Sequence, residues 1–183
     1  MKNRIIQLLK ETGREGIENL IQYMEDSGFF EAPASTQYHG AKDGALAEHS
    51  LKVCELAHQI GEKLLGAEYN LYADSITLCA LLHDLGKAGQ YNKPLYVANI
   101  LKSGKQSDSK PYMKNKELLP VEHEVVSVIE ATRWINLEEE EQLAILWHNG
   151  LYGDFRYHIQ GNETKLYMII HWADMWASRV YEV

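Results

Sequence analysis

Apolar residues recur along the chain at helical spacing, beginning with Ile5, Ile6, Leu8 and Leu9 and then Ile17, Leu20, Ile21 and Met24. Steps of three and four residues predict helix, and Gly13 and Gly16 divide this stretch into two short ones. The next segment, GFFEAPASTQYHGAKDG, is rich in turn formers and carries no stripe, which predicts a loop long enough to be functional. Further on, Leu46, His49, Val53, Leu56 and Ile60 fall on one helical face, so His49 packs inward. Residues 74–85 read as another apolar helix, closed by Gly86 as a residue just past a helix C-terminus.

Between the third and fourth main helices the periodicity stops. Lys102, Lys105, Lys110, Lys114 and Lys116, set among Ser, Gly and Asp, predict a mobile basic loop or a short hairpin. Pro120 opens a helix running to about Trp134, and Asn136 caps the next. In that helix Glu138 to Glu141 read as a solvated acidic start at the positive end of the dipole, with Gly150 at the far end. A loop from Leu151 to Glu163 leads to a last helix with Leu166, Ile170, Asp174, Ala177 and Tyr181 along one stripe. No internal repeat and no run of strands appears. The expected architecture is all-α, one domain over residues 1–183, with N-terminal helices and a loop over 1–45 and the helical core over 46–183.

Composition narrows the function more than the fold. Hydrophobic residues at 45% and charged residues at 24% are globular values, so the chain should fold on its own. A net charge of −8 opposes an extended nucleic-acid surface or an anionic membrane face and favours small or locally steered substrates. No segment has signal-peptide character or approaches the roughly 20 apolar residues of a membrane span, and a cytoplasmic location is expected. Cys54 and Cys79, without metal-site spacing, read as buried reduced thiols.

The stripes also carry residues that are costly in an apolar interior. His49, the pair His83 and Asp84 within LLHDLGK, and Asp174 lie on three separate helices. One buried His is more often a hydrogen-bonded core residue than a ligand. Recurrence favours the sharper reading, because Asp174 has no Lys or Arg on the neighbouring inward faces to offset it. A divalent cation would satisfy these groups together. His148 ends its helix on the inward side and is a further contributor; His123 lies at the margin of its stripe, with Glu122 or Glu124 as the alternative inward group. His58, nine residues after His49, faces the opposite way. His171 either orients a ligand from behind or is a core residue, and His39 and His158 fall in loops.

The series His49, HDLGK at 83–87, His123, His148 and Asp174 resembles the HD superfamily of metal-dependent phosphohydrolases, in the order seen where two metals are bound. TGREGIENLIQYME, APASTQYHG, GALAEHSLKV and AILWHNG look like HD-family hydrolases of bacterial and phage type. The resemblance implies an HD-domain helical bundle in which His49, His83, Asp84 and Asp174 hold one metal, and Asp84 bridges to a second completed by His123 and His148. Lys87 would then face substrate phosphate or the metal-bound water; otherwise it is a helix C-terminal Lys satisfying the dipole. HNGLYGDF lacks the Gly-Tyr-Pro motif of the cyclic-dinucleotide branch, which argues against that substrate class.

Mixed imidazole and carboxylate ligands favour Mn, Fe, Co, Ni or Zn over Mg. Two such ions activate water for attack on phosphorus and stabilise the charge that develops there. The expected activity is hydrolysis of a phosphate ester or anhydride of a nucleotide or other small phosphorylated metabolite, as a phosphomonoesterase, phosphodiesterase or nucleoside triphosphohydrolase. The basic loop, if not merely solvated, would close over phosphate as a lid. Tyr38, His39, Arg156 and Tyr157 are candidate substrate contacts, being polar or aromatic loop residues near the ligand helices. The alternatives are an HD-type di-iron oxygenase with the same ligands, and a degenerate HD module that only binds nucleotide or protein.

Overall fold

The computed structural model describes residues 1–37 and 40–182. Two N-terminal helices, α1 (Lys2–Glu11) and α2 (Ile17–Asp26), turn their apolar sides onto the main bundle, so that Ile5, Leu9, Leu20 and Met24 share one cluster with Leu46, Leu78 and Ile170. The bundle is built on α3 (Ala45–Leu65) and α4 (Tyr69–Leu82), joined by a 3₁₀ turn at Gly66–Glu68. Every residue of α4 from Ile76 to Leu82 is buried. A helix apolar all round belongs at the centre of a bundle, and α3 packs along it. The remaining helices are α5 (His123–Thr132), α6 (Glu139–Leu146), the single turn α7 (Arg156–Ile159) and α8 (Lys165–Trp176). Helices α6 and α8 complete the wall around α4.

The fold is all-α apart from one small hairpin, β1 (Tyr96–Ala98) paired antiparallel with β2 (Tyr112–Lys114) in the register Tyr96 to Lys114 and Ala98 to Tyr112. The basic segment is therefore a hairpin with a defined base. Its Tyr112 N–H donates to the Thr36 carbonyl at 3.3 Å and its Tyr112 hydroxyl donates to Asp43 at 2.5 Å. Lys102, Lys105 and Lys110 lie exposed toward its tip.

Three expected helix ends move. Helix α5 begins at His123, because Glu122 is still extended (φ −67°, ψ 140°) and its carbonyl accepts the first helical bonds, from Val125 and Val126. Pro120 lies outside. Helix α6 is capped by Glu138 in a reciprocal box with Glu141, not by Asn136. The acidic run is not simply solvated either: Glu141 is 1% exposed and accepts both guanidinium nitrogens of Arg14 at 2.9 and 2.6 Å, while Glu140 accepts the Leu166 N–H at 3.2 Å. Finally, α4 stops at Leu82, and Gly86 lies inside a 3₁₀ turn, Leu85–Ala88. A Cβ at Gly86 would lie 2.3 Å from the His123 carbonyl oxygen and 2.9 Å from the Ser127 nitrogen. Gly86 is thus there for the close approach of α5, which its own N–H secures by donating to Ser127 Oγ at 2.8 Å.

Candidate metal centre

The centre forms where the most buried helix ends. As α4 stops, His83 and Asp84 turn toward α3, α5, α8 and the turn after α6, and their side chains are 0% and 1% exposed. His49 comes from α3, His123 from the first position of α5, His148 from just beyond α6 and Asp174 from the last turn of α8. All six predicted ligand residues meet here. Their atoms fall into overlapping groups that could hold an ion: His49 with His83 and Asp84; His83 with His148 and Asp174; Asp84 with His123 and His148.

Three of the four imidazoles are hydrogen-bonded through Nδ1. His83 Nδ1 lies 2.8 Å from the Ala80 carbonyl and His148 Nδ1 2.8 Å from the Ile145 carbonyl. His49 Nδ1 lies 2.9 and 3.2 Å from the two oxygens of Glu182. His123 Nδ1 faces Glu124 Oε2 at 3.1 Å. Carbonyl and carboxylate oxygens only accept, so His49, His83 and His148 hold a proton on Nδ1 and turn Nε2 to the centre, where His123 Nε2 also points. Those nitrogens converge: His49 and His83 Nε2 are 3.2 Å apart, and His123 and His148 Nε2 are 3.3 Å apart. Two nitrogens at that distance repel unless a proton or a metal ion joins them.

Asp84 stands between the two pairs. Its Oδ2 is 3.4 Å from His83 and 3.6 Å from His49, while Oδ1 is 3.1 Å from His123 and 3.5 Å from His148. Oδ1 is sealed from solvent without a hydrogen-bond donor, a costly condition that a cation would relieve. Asp174 Oδ1 lies 3.2 Å from His49 and 4.0 Å from His83, completing the first group. Burial and donor chemistry together fit a divalent-metal site around Asp84, with the Nδ1 acceptors of His49, His83 and His148 as the outer supports that metal-binding histidines need.

The electrostatics describe a site built for positive charge. Burial alone would raise Asp84, but the Lys87 ammonium and the surrounding imidazoles outweigh it and hold Asp84 well below the usual carboxylate range. Asp174 is likewise depressed, burial being overcome by its bond to His49. Burial would lower His49, yet Asp174 and Glu182 push it up to about 10. His148 is raised against burial by Asp84, whereas burial and the Lys87 charge lower His123. Lys87 donates to Asp84 Oδ2 at 2.6 Å. The open edge is made by the less buried members: side-chain exposure is 16% for Asp174, 18% for Lys87, 19% for His123 and 29% for Glu182. Tyr96 of β1 is raised by burial with the Lys87 charge opposing, which puts the base of the hairpin beside this edge.

Other predicted residues divide. His58 is outside the centre, bonded to the Tyr69 hydroxyl at 2.7 Å and Thr77 Oγ1 at 2.9 Å. His171 is a core residue: its Nδ1 donates to the His148 carbonyl at 2.7 Å and its ring stacks on Tyr167. It supports the backbone of His148 and not a ligand ring. A Cβ at Gly150 would run into that ring at 2.3 Å, so the helix end and His171 pack only with glycine there. Arg156 and Tyr157 are exposed and stack on each other at 4.9 Å, with no bond to the centre among the described residues. His158 is also exposed. Tyr38 and His39 lie outside the described residues. Two supports escape sequence reasoning: Glu124, which reads there only as a substitute for His123, stands behind it instead, and Glu182 carries no signal of its own. Among the described residues no helix is long and apolar enough to cross a membrane.

A search of curated proteins and a search of solved structures each return no match. The family model of the HD domain matches residues 46–175, from the start of α3 to the end of α8, and takes in all six residues gathered around Asp84. The chain belongs to the HD domain family, a superfamily of metal-dependent hydrolase type.

Proposed function

We propose that the protein is a metal-dependent phosphohydrolase that cleaves a phosphate ester or anhydride of a nucleotide or another small phosphorylated metabolite. Two divalent transition ions are held in it, one by His49, His83, Asp84 and Asp174 and the other by Asp84, His123 and His148. The observation that carries this reading is the convergence of four Nε2 nitrogens, in two facing pairs, on a carboxylate whose two oxygens each address one pair. Membership of the family supports the hydrolytic class.

Ions bound in this way supply an acidified water and stabilise negative charge on a phosphoryl group. The chain's own residues do the rest. Asp84 fixes the spacing of the two halves, and the Nδ1 partners stop the rings from turning. Lys87, at the open edge, offers an ammonium to a phosphate oxygen, and the hairpin beside it brings Lys114, paired in register with Tyr96. A single ammonium set among the carboxylates of this edge, on a chain of net charge −8, suits a small anion better than a long polyanion.

Release of phosphate or pyrophosphate from a panel of nucleotides and sugar phosphates, with Mn, Fe, Co, Ni, Zn and Mg in turn, tests the proposal. Turnover is expected with one or more transition ions and should fall by about 10³-fold or more in Asp84→Ala. Loaded protein that releases nothing would point to a binding module, and oxygen uptake with iron would point to an oxygenase; either result contradicts the proposal.

A further inference from the structure

Helix α8 does not end as an α-helix. Residues Ala177–Tyr181 form a π turn, closed by the Glu182 N–H donating to the Ala177 carbonyl at 3.0 Å. In a continuous α-helix Tyr181, seven residues after Asp174, would share its stripe, and Glu182 would stand about 80° away. The extra residue in the turn changes the face: Tyr181 is 58% exposed, and Glu182 points at the centre. Ser178 Oγ donates to the Asp174 carbonyl at 2.8 Å, a bond that loosens the same turn. A π turn is rare and is found frequently at functional sites.

What it re-aims is a carboxylate onto His49. Two other histidines of the centre take their Nδ1 acceptors from nearby in the chain, Ala80 for His83 and Ile145 for His148, while His123 Nδ1 lies 3.1 Å from the adjacent Glu124 without a hydrogen bond. His49 alone among them is fixed by a residue 133 positions away, through both carboxylate oxygens. Glu182 also lies beyond residues 46–175, the span of the family match.

Resting on the two-ion reading above, we infer that Glu182 is a positioning residue for His49, and that the π turn sets the affinity of the His49–His83–Asp174 half of the centre without serving the His123–His148 half. The carboxylate accepts the Nδ1 proton, which locks the ring with Nε2 directed inward and makes that nitrogen more basic. Because Glu182 touches only His49 in the centre, its loss acts on one half.

The test is a Co²⁺ titration of the whole chain, followed by visible absorption and calorimetry, in the wild type, Glu182→Ala and Glu182→Gln. Glu182→Ala should weaken one of two binding steps about 10- to 100-fold and leave the other within about threefold. Glu182→Gln, whose amide oxygen still accepts the Nδ1 proton, should recover most of the loss. Unchanged affinities in Glu182→Ala, or equal weakening of both steps with a lowered Tm and no rescue by Gln, would overturn the inference. A wild type that binds no Co²⁺ would count against the two-ion reading, and the positioning of the ring is then decided by nitrogen NMR of the His49 imidazole. There the Nδ1 proton should be shifted downfield and slow to exchange in the wild type and lose both properties in Glu182→Ala; the same signal in both would overturn it.

Discussion

At the scale of single residues, the chemistry turns on which atom of each side chain is already committed. Three imidazoles, His49, His83 and His148, spend Nδ1 on oxygen acceptors, so only Nε2 remains to face Asp84. Lys87 is committed differently: its ammonium is bound to Asp84 Oδ2, yet its side chain is 18% exposed, so it reaches both the bridge and the mouth. Replacing it should separate binding from turnover. Lys87→Ala is expected to keep two ions per chain by metal analysis while losing about 10²- to 10³-fold in kcat, the usual cost of removing one charge-stabilising donor. Loss of metal in that variant would make Lys87 a support of the centre and not a partner of the substrate. The gathering of these His and Asp residues is legible in the sequence because a carboxylate on an apolar stripe is too costly to bury without a compensating charge. Glu182 is not, because the π turn shifts it by one residue from a stripe that assumes regular α-helix to Tyr181. Glu124 is half legible: its place beside His123 is plain, but spacing cannot tell an inward carboxylate that binds from one that stands behind.

At the scale of elements, the centre depends on how closely α5 approaches the 3₁₀ turn after Asp84. His123 occupies the first helical position of α5, so its ring moves with that helix end. Gly86 sets the distance, since an added Cβ meets the His123 carbonyl, Ser127 nitrogen and Val126 Cβ within 2.9 Å. Gly86→Ala should therefore cost about 1–3 kcal/mol in urea unfolding, as overpacking does, and weaken metal binding in the His123–His148 half first. Full stability together with two unaltered binding steps would refute this role for the glycine. The hydrophobic pattern locates every main helix but misjudges their ends. Pro120 and Asn136 are favourable starters by type, yet the backbone begins helix where Glu122 and Glu138 supply the extended caps. Gly86 likewise has the type of a helix terminator, and only the packing reveals a contact residue.

For the whole molecule, the N-terminal helices are tied to the core by more than apolar contact. Arg14, in the turn between α1 and α2, grips Glu141 of α6 with two hydrogen bonds, and Ser75 donates to the same carboxylate at 2.7 Å. Burial would raise Glu141, but Arg14, Ser75 and the Glu138 N–H overcome it and lower its pKa. A carboxylate depressed in the folded state adds stability above its unfolded pKa, and that contribution is lost as pH falls through the ordinary range of about 4.3 toward the folded value. Arg14→Ala should cost about 3 kcal/mol at neutral pH, because it leaves a buried charge short of its partner. Its deficit against wild type should narrow as the solution is acidified below the ordinary glutamate range. A deficit independent of pH, measured by denaturant unfolding, would mean that lost packing and not the ion pair is responsible. This tie is hidden in the sequence, where Glu138 to Glu141 look like a uniformly solvated helix start and Arg14 like a loop cation. Their partnership joins residues 127 apart and is created only by the fold.

These scales meet at Asp84, whose two carboxylate oxygens each face two Nε2 nitrogens, and the proposed centre would hold one cation on each side of it. Anomalous diffraction from crystals soaked in Mn²⁺ would locate them. Two peaks are expected, one bounded by His49, His83 and Asp174 and the other by His123 and His148, with one oxygen of Asp84 directed at each. An absence of anomalous density at the centre, or ions bound only at exposed carboxylates elsewhere on the surface, would refute the two-ion centre.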